Sequence, residues 1–292
     1  MRAQTEVTVG SAATRIVVSA ETSAGAVRPL NEDSFRAAPP LFVVADGMGG
    51  HERGDVASRT AIAAIADRVP EGSTPTVDEL LAAIGAANDA VRERSERDGV
   101  TGVSGTTLVV LGLVRGDSEG SAYWLAANIG DSRLYAWSGR DLRQLTVDHS
   151  LVQELVDAGT LSVADAASHP DRNVITRAVG VRPEVSADVW LLPVVGDQVF
   201  LLCSDGLTRE LSDADIAALL REHGAHGERP TIAQALVDAA VAAGGSDNVT
   251  AIVVEASSPG APEASDPGLA STRDRLEADA EDTLPRAPEP AR

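Results

Sequence analysis

The sequence predicts an α+β fold, with a sheet or pair of sheets covered by helices. Two observations carry this reading. Apolar, β-branched and aromatic runs succeed one another through residues 107–137 with Gly or Asp between them, the pattern of hairpins. The helical stretches come as pairs set apart from those strands, so alternating βαβ units are not indicated. No repeat of fixed period stands out.

Taken in order, residues 1–12 are expected to be flexible. Ile16, Val17 and Val18 start a strand over residues 15–20. Residues 34–36 are strand-like, and residues 41–45 form a buried strand. Residues 56–69 place Ala57, Ile62, Ile65, Ala66 and Val69 at helical spacing. Residues 77–94 read as a second helix carrying Leu80, Leu81, Ile84 and Val91, packed beside the first across the turn at 70–75. Strands follow at 107–114, 123–128 and 133–137, with Gly130-Asp131 as a tight turn between the last two. A helix covers 150–157, and residues 162–172 form an irregular or short-helical insertion. Strands are expected at 174–177, 185–190 and 199–203, helices at 213–222 and 231–243, and a last strand at 249–255. From residue 256 onward Pro259, Pro262, Pro267, Pro285, Pro288 and Pro290 punctuate an acidic, Ala-rich stretch whose large apolar residues are Leu269, Leu276 and Leu284. Such a segment buries too little surface to offset chain entropy, so residues 256–292 read as a disordered tail.

At 292 residues and 43% hydrophobic, the chain can build one large domain or two small ones. It has no apolar run of about 18 residues, so no transmembrane helix is expected. Its first residues lack the basic-then-apolar order of a signal peptide, and a cytoplasmic location is the expectation. The single cysteine, Cys203, excludes an intramolecular disulfide and a Cys-rich zinc site. A net charge of −20 disfavours nucleic acid and anionic membrane surfaces as partners, since both repel such a chain.

Two hydrophobic strands each run into an Asp-Gly pair, at Asp46-Gly47 and Asp205-Gly206. Asp247 precedes the apolar run at 249–254. Carboxylates at the ends of buried strands suit Mg²⁺ or Mn²⁺, which prefer oxygen ligands held rigidly. Glu32, Asp33 and Asp131 also lie at turns. Any one acid here could simply form a turn by bonding its own backbone. Several together, all abutting buried strands, point to a metal cluster.

The blocks Arg28…Asn31-Glu32-Asp33, Val44-Ala45-Asp46-Gly47-Met48-Gly49-Gly50-His51, Ser104-Gly105-Thr106-Thr107, Asn128-Ile129-Gly130-Asp131-Ser132-Arg133, Thr176-Arg177-Ala178-Val179-Gly180, Ser204-Asp205-Gly206-Leu207 and Ser246-Asp247-Asn248-Val249-Thr250 occur in that order. They closely resemble the metal-dependent PPM (PP2C-type) Ser/Thr protein phosphatases, bacterial branch. The resemblance implies an α+β, four-layer α-β-β-α sandwich over residues 13–255, two antiparallel sheets flanked by helix pairs, with a flap at about 158–180. It implies hydrolysis of phosphoserine and phosphothreonine on proteins by a metal-activated water, with two Mn²⁺ or Mg²⁺ ions. Asp46 would bridge the ions, the Gly47 carbonyl would bind one, and Asp205 and Asp247 the other. Glu32 and Asp33 would act through waters, and Arg28 would hold the substrate phosphate. Bacterial relatives often carry a third ion, here on Asp131 and Asp205 with Ser168. The implied partners are phosphoproteins, a Ser/Thr kinase and its substrates.

Met48 departs from many eukaryotic relatives, which have a His thought to protonate the leaving group there. Met cannot do so, and His51 reads as a solvated loop residue, which leaves a metal-bound water as the acid. The Gly49-Gly50 stretch ahead of a helix resembles a phosphate cradle. The chain lacks a Walker pattern and any lysine to supply one, and the glycines suit a tight turn around the metals. Two other readings stand beside this one. Cys203 and Arg209 match the Cys-x₅-Arg signature of cysteine-dependent phosphatases, which needs a thiolate in a loop. A phosphatase-like protein can also be a non-catalytic binding module.

Overall fold

The computed structural model describes residues 2–9, 12–49, 53–99, 103–117, 120–166, 168–223 and 231–258. Gly50, His51 and the tail from residue 259 lie outside the described residues.

The chain runs β1 (Arg2–Val9), β2 (Ala12–Ser23), β3 (Asp33–Ala38), β4 (Leu41–Gly49), α1 (Gly54–Arg68), α2 (Val77–Arg97), β5 (Ser104–Thr106), β6 (Leu108–Arg115) and β7 (Ala122–Ile129). It continues with β8 (Arg133–Trp137), β9 (Leu142–Gln144), α3 (Leu151–Asp157), α4 (Val163–Ala166), β10 (Asp188–Pro193), β11 (Asp197–Cys203), α5 (Asp205–Glu210), α6 (Asp213–His223), α7 (Ile232–Ala243) and β12 (Val249–Ser257). One sheet has the order β1-β2-β12-β11-β8-β9 and the other β10-β7-β6-β4-β3, with β5 paired to β4. The pairings are antiparallel, as the hairpin pattern predicts.

The two sheets pack face to face, and helices cover both outer faces. In β4, Phe42 and Val44 point into the core between the sheets, while Leu41, Val43 and Ala45 point to α1 and α2. In β11, Phe200 and Leu202 face the inter-sheet core and Leu201 and Cys203 face α5, α6 and α7. Both faces of these strands are buried, which is why they read as unbroken apolar runs rather than alternating ones. Each fully buried Leu, Val or Phe contributes roughly 1.5–3 kcal/mol, so this double burial is what holds the four layers together. Trp124 sits at the centre, its ring 5.5 Å from Phe200 and 6.4 Å from Phe42, and its indole N–H donates to Gln198 Oε1. The four-layer α-β-β-α arrangement agrees with the expected fold. Among the described residues no helix is long and apolar enough to cross a membrane.

Several local expectations need correction. Within the N-terminal stretch read as flexible, residues 2–9 form β1, paired along its length with β2. The expected strand at 174–177 is irregular, with one isolated bridge from Ile175 to Ser150. Val174 is exposed, so these residues have β propensity but no sheet to join. The strand expected at 185–190 begins later, at Asp188. The Asp46-Gly47 pair does not end its strand; β4 continues to Gly49 because β5 pairs with it. The second pair, Asp205-Gly206, opens the short helix α5. The last strand runs to Ser257, past the expected boundary at 255.

Candidate metal centre

The end of the sandwich where β3, β4, β11 and β12 meet their loops gathers the acids. Asp33 and Asp46 are cross-strand partners in β3 and β4. The Asp46 backbone is clamped on both sides: its N–H donates to Thr107 Oγ1 at 3.0 Å, and its carbonyl accepts from Thr107 N–H and the Thr106 hydroxyl at 2.9 Å each. That clamp explains the Thr-Thr pair. The Thr107 hydroxyl also bonds that of Ser132, tying Asp46 to the Asp131 hairpin. In that hairpin Gly130 has φ +107°, and its N–H donates to His149 Nδ1 at 3.1 Å. Arg133 anchors the hairpin further by pairing with Asp148 at 2.7 Å.

Gly47 passes so close to α1 that a side chain has no room. A Cβ there would fall inside contact distance of the Gly54 carbonyl and 2.5 Å from the Glu32 carbonyl oxygen. Glu32 locks this crossing. Its Oε1 accepts the Gly54 N–H at 3.0 Å, and its carbonyl accepts from the Gly47 N–H and the Ser58 hydroxyl. Asn248 holds the other side: its Oδ1 accepts the Glu32 N–H, and its amide donates to the carbonyls of Ala24 and Leu30. Gly47 and Gly54 therefore serve close backbone approach, and Glu32 binds the two sheets' loops together.

Arg28, Glu32, Asp46, Gly47, Asp131, Asp205 and Asp247 line one cleft of about 320 Å³, joined by Met48, Asn173, Ile175 and Arg209. Asp33 lies behind this wall. Its Oδ2 accepts from the Ser204 and Thr250 hydroxyls at 2.7 Å each, so it positions the loops carrying Asp205 and Asp247. Ser168 is not brought in: it lines neither this cleft nor the adjoining groove, and its hydroxyl donates to the Asp165 carbonyl on the flap. Ser168 is exposed in the turn after α4. Asn173 and Ile175 have no local sequence signal; the irregular flap brings them to the cleft. The Ser204 and Thr250 hydroxyls could have been suspected from their places beside Asp205 and Asp247.

Crowded anions under low solvent access resist ionisation. Burial, then the neighbouring carboxylates, push Asp46 well above the ordinary range. Burial likewise raises Asp33 to about 7, against the pull of its two hydroxyl donors, and raises Asp131 to about 8. Burial, and the nearby Asp247 charge, also raise Asp205 against the pull of the Arg209 guanidinium. Asp33 Oδ1 and Asp205 Oδ1 are buried with no protein partner. Buried oxygens that are both repelling and unpartnered need a proton or a cation. A hard divalent ion fits this all-oxygen donor set.

No group of three or more His, Cys, Asp or Glu among the described residues is already drawn in tightly enough to hold an ion. The Arg209 guanidinium pairs with both Asp205 and Asp247.

These raised values set a stability prediction for the metal-free protein. A group whose folded value is raised stabilises fully below its ordinary value of 3.8 and loses that contribution as pH rises through about 7 and 8. In EDTA, the unfolding temperature should therefore fall between about pH 4 and about pH 8, and Mn²⁺ should suppress the fall. A flat profile in EDTA contradicts the crowding described above.

The cysteine-based alternative fails on placement. Cys203 is fully buried at the end of β11, facing α5 to α7, and burial pushes its thiol up to about 12. It does not line the cleft, and the Arg209 guanidinium faces two carboxylates instead of a thiolate.

Comparison with known proteins agrees with this geometry. A family profile described as Protein phosphatase 2C matches residues 26–239. The serine/threonine phosphatase stp of Listeria monocytogenes is 35% identical, over 80% of this chain and 93% of its own length. The crystal structure of the serine/threonine phosphatase PstP/Ppp of Mycobacterium tuberculosis superposes with a TM-score of 0.71 at 35% identity, covering 82% of this chain and 98% of that one. A PstP catalytic domain in complex with two manganese ions superposes with a TM-score of 0.71 at 33% identity, covering 84% and 99%. With the profile spanning most of its length and relatives of 35% identity covered almost end to end, the chain belongs to the protein phosphatase 2C family.

Proposed function

We propose that this protein hydrolyses phosphoserine and phosphothreonine on protein substrates with the help of two divalent ions, Mn²⁺ or Mg²⁺. The observation that carries the reading is the convergence of Glu32, Asp46, Gly47, Asp131, Asp205 and Asp247 on one cleft with Arg28 at its edge. Asp46 would be shared between the ions, with the Gly47 carbonyl on one and Asp205 and Asp247 on the other. Glu32 and Asp33 would act through water; the commitment of Asp33 Oδ2 to two hydroxyls supports that indirect role. Asp131 and Asp205 together would serve a third ion. When bound, the ions lower the pKa of water and draw charge from the phosphoryl oxygens.

The chain's own residues do the rest. Arg28 is half exposed, and its planar fork suits two phosphate oxygens. Its pairing with Asp247 at 2.9 Å holds that fork over the cleft. The buried Thr106, Thr107 and Ser132 keep the Asp46 carboxylate from drifting, which matters because positional errors of about 1 Å cost rate heavily. Met48 lines the cleft and carries no proton, so the leaving serine or threonine oxygen takes its proton from water. The partners this implies are phosphoproteins, the substrates of a Ser/Thr kinase.

A panel of phosphoserine, phosphothreonine and phosphotyrosine peptides, each with Mn²⁺, Mg²⁺ or EDTA, tests the reading. Release from the first two alone, with either ion and not in EDTA, is expected. Mn²⁺ binding without phosphate release from any peptide would favour a binding module.

A further inference from the structure

We propose that Arg209 is the metal-free protein's own counter-cation: its guanidinium bridges Asp205 and Asp247, and a divalent ion must displace it to reach them. This rests on the assignment of those two acids as ligands.

The placement is specific. Arg209 lies one helical turn after Asp205 in α5, the spacing at which side chains meet on one helix face. Its Nη2 donates to Asp205 Oδ2 and its Nη1 to Asp247 Oδ2 at 2.8 Å. Asp247 Oδ2 also accepts Arg28 Nη2 at 2.9 Å, and Asp247 Oδ1 accepts the Asn248 N–H at 3.0 Å. The cleft-facing oxygen of Asp247 thus has both lone pairs engaged by guanidinium groups. A cation ligated there needs one of them back.

Arg28 and Arg209 are not equivalent in this exchange. The Arg28 side chain is 50% exposed at the cleft edge, whereas that of Arg209 is 24% exposed and sits between the two carboxylates. Arg209 also lines the neighbouring groove of about 490 Å³ beside the flap, with Arg172, Thr208 and Asp213. A displaced guanidinium can therefore turn into that groove, toward Asp213, without leaving the site. An ordinary surface ion pair would have no bearing on metal affinity; a guanidinium on the ligand oxygens opposes it by occupancy and by charge.

Isothermal titration of Mn²⁺ into the dialysed full chain tests this with wild type, Arg209→Met and Arg209→Lys, alongside thermal unfolding in EDTA. Arg209→Met should bind Mn²⁺ at least about tenfold tighter than wild type, given the coupling typical of close charge pairs. It should also unfold at a lower temperature in EDTA, because Asp205 loses its guanidinium partner and Asp247 loses one of its two. Arg209→Lys, which keeps the charge, should stay near wild type in affinity. Structural damage would loosen Mn²⁺ binding, so tightening separates the two explanations. Should Arg209→Met not fold, Arg209→Gln makes the same comparison. Unchanged or weaker binding in the neutral variant, with wild type binding normally, overturns this inference alone. Absence of Mn²⁺ binding in every protein overturns the ligand assignment and this inference with it.

Discussion

Asp46→Asn is expected to reduce metal-dependent phosphate release by on the order of 10³-fold while leaving the metal-free fold intact. Asp46 lies at the centre of the cluster, where burial and four neighbouring carboxylates push it well above its ordinary ionisation range. The amide keeps the shape of the side chain and removes its charge. An amide cannot ionise, so it attracts a divalent ion less and cannot add a charge that repels Asp33, Asp131, Asp205 and Asp247. The same substitution should therefore leave the protein at least as stable in EDTA as wild type. Phosphate release with Mn²⁺ and thermal unfolding in EDTA check both halves. A variant that keeps full Mn²⁺-dependent activity means that Asp46 is not a ligand.

Gly47→Ala should fail differently, losing stability and activity together. The added Cβ meets backbone on both sides, the Gly54 and Glu32 carbonyls, and backbone cannot rotate away. Relief requires β4 to separate from the start of α1, which breaks the bonds from Glu32 to the Gly47 and Gly54 amides. About 3 kcal/mol or more of stability should be lost, at the upper end for overpacking, and the Gly47 carbonyl moves with the strand. Denaturant unfolding in EDTA measures the first effect independently of any ion. Stability within about 0.5 kcal/mol of wild type would show that the close approach is not rigid.

Much of this architecture was legible in the residues. Long helices with clear periodicity, such as α1 and α2, fall close to their expected bounds, and α2 starts at a capping box formed by Thr76 and Glu79. The acids at Asp46, Asp131, Asp205 and Asp247 were legible because short acidic turns interrupt long apolar runs. What was not legible depends on partners distant in sequence. In β1 the side chains of residues 3–6 are exposed and Val7 is its one described buried residue, so nothing local marks it; pairing with β2 creates it. β5 and the extension of β4 to Gly49 exist through each other. The division of strands between two sheets was also hidden. Phe42 and Leu41 are equally apolar yet face opposite layers, and only the resemblance to a family supplied that arrangement. The role of Arg209 needed the fold too, since Asp205 and Asp247 meet it from different segments.

The central claim is that the carboxylate cleft works only with divalent ions in it. Phosphate release from a phosphothreonine peptide, by protein dialysed against EDTA and then titrated with Mn²⁺, tests that claim most directly. The account predicts no release before Mn²⁺ is added and a saturable return of activity as it is added. Equal rates with and without Mn²⁺ would contradict it.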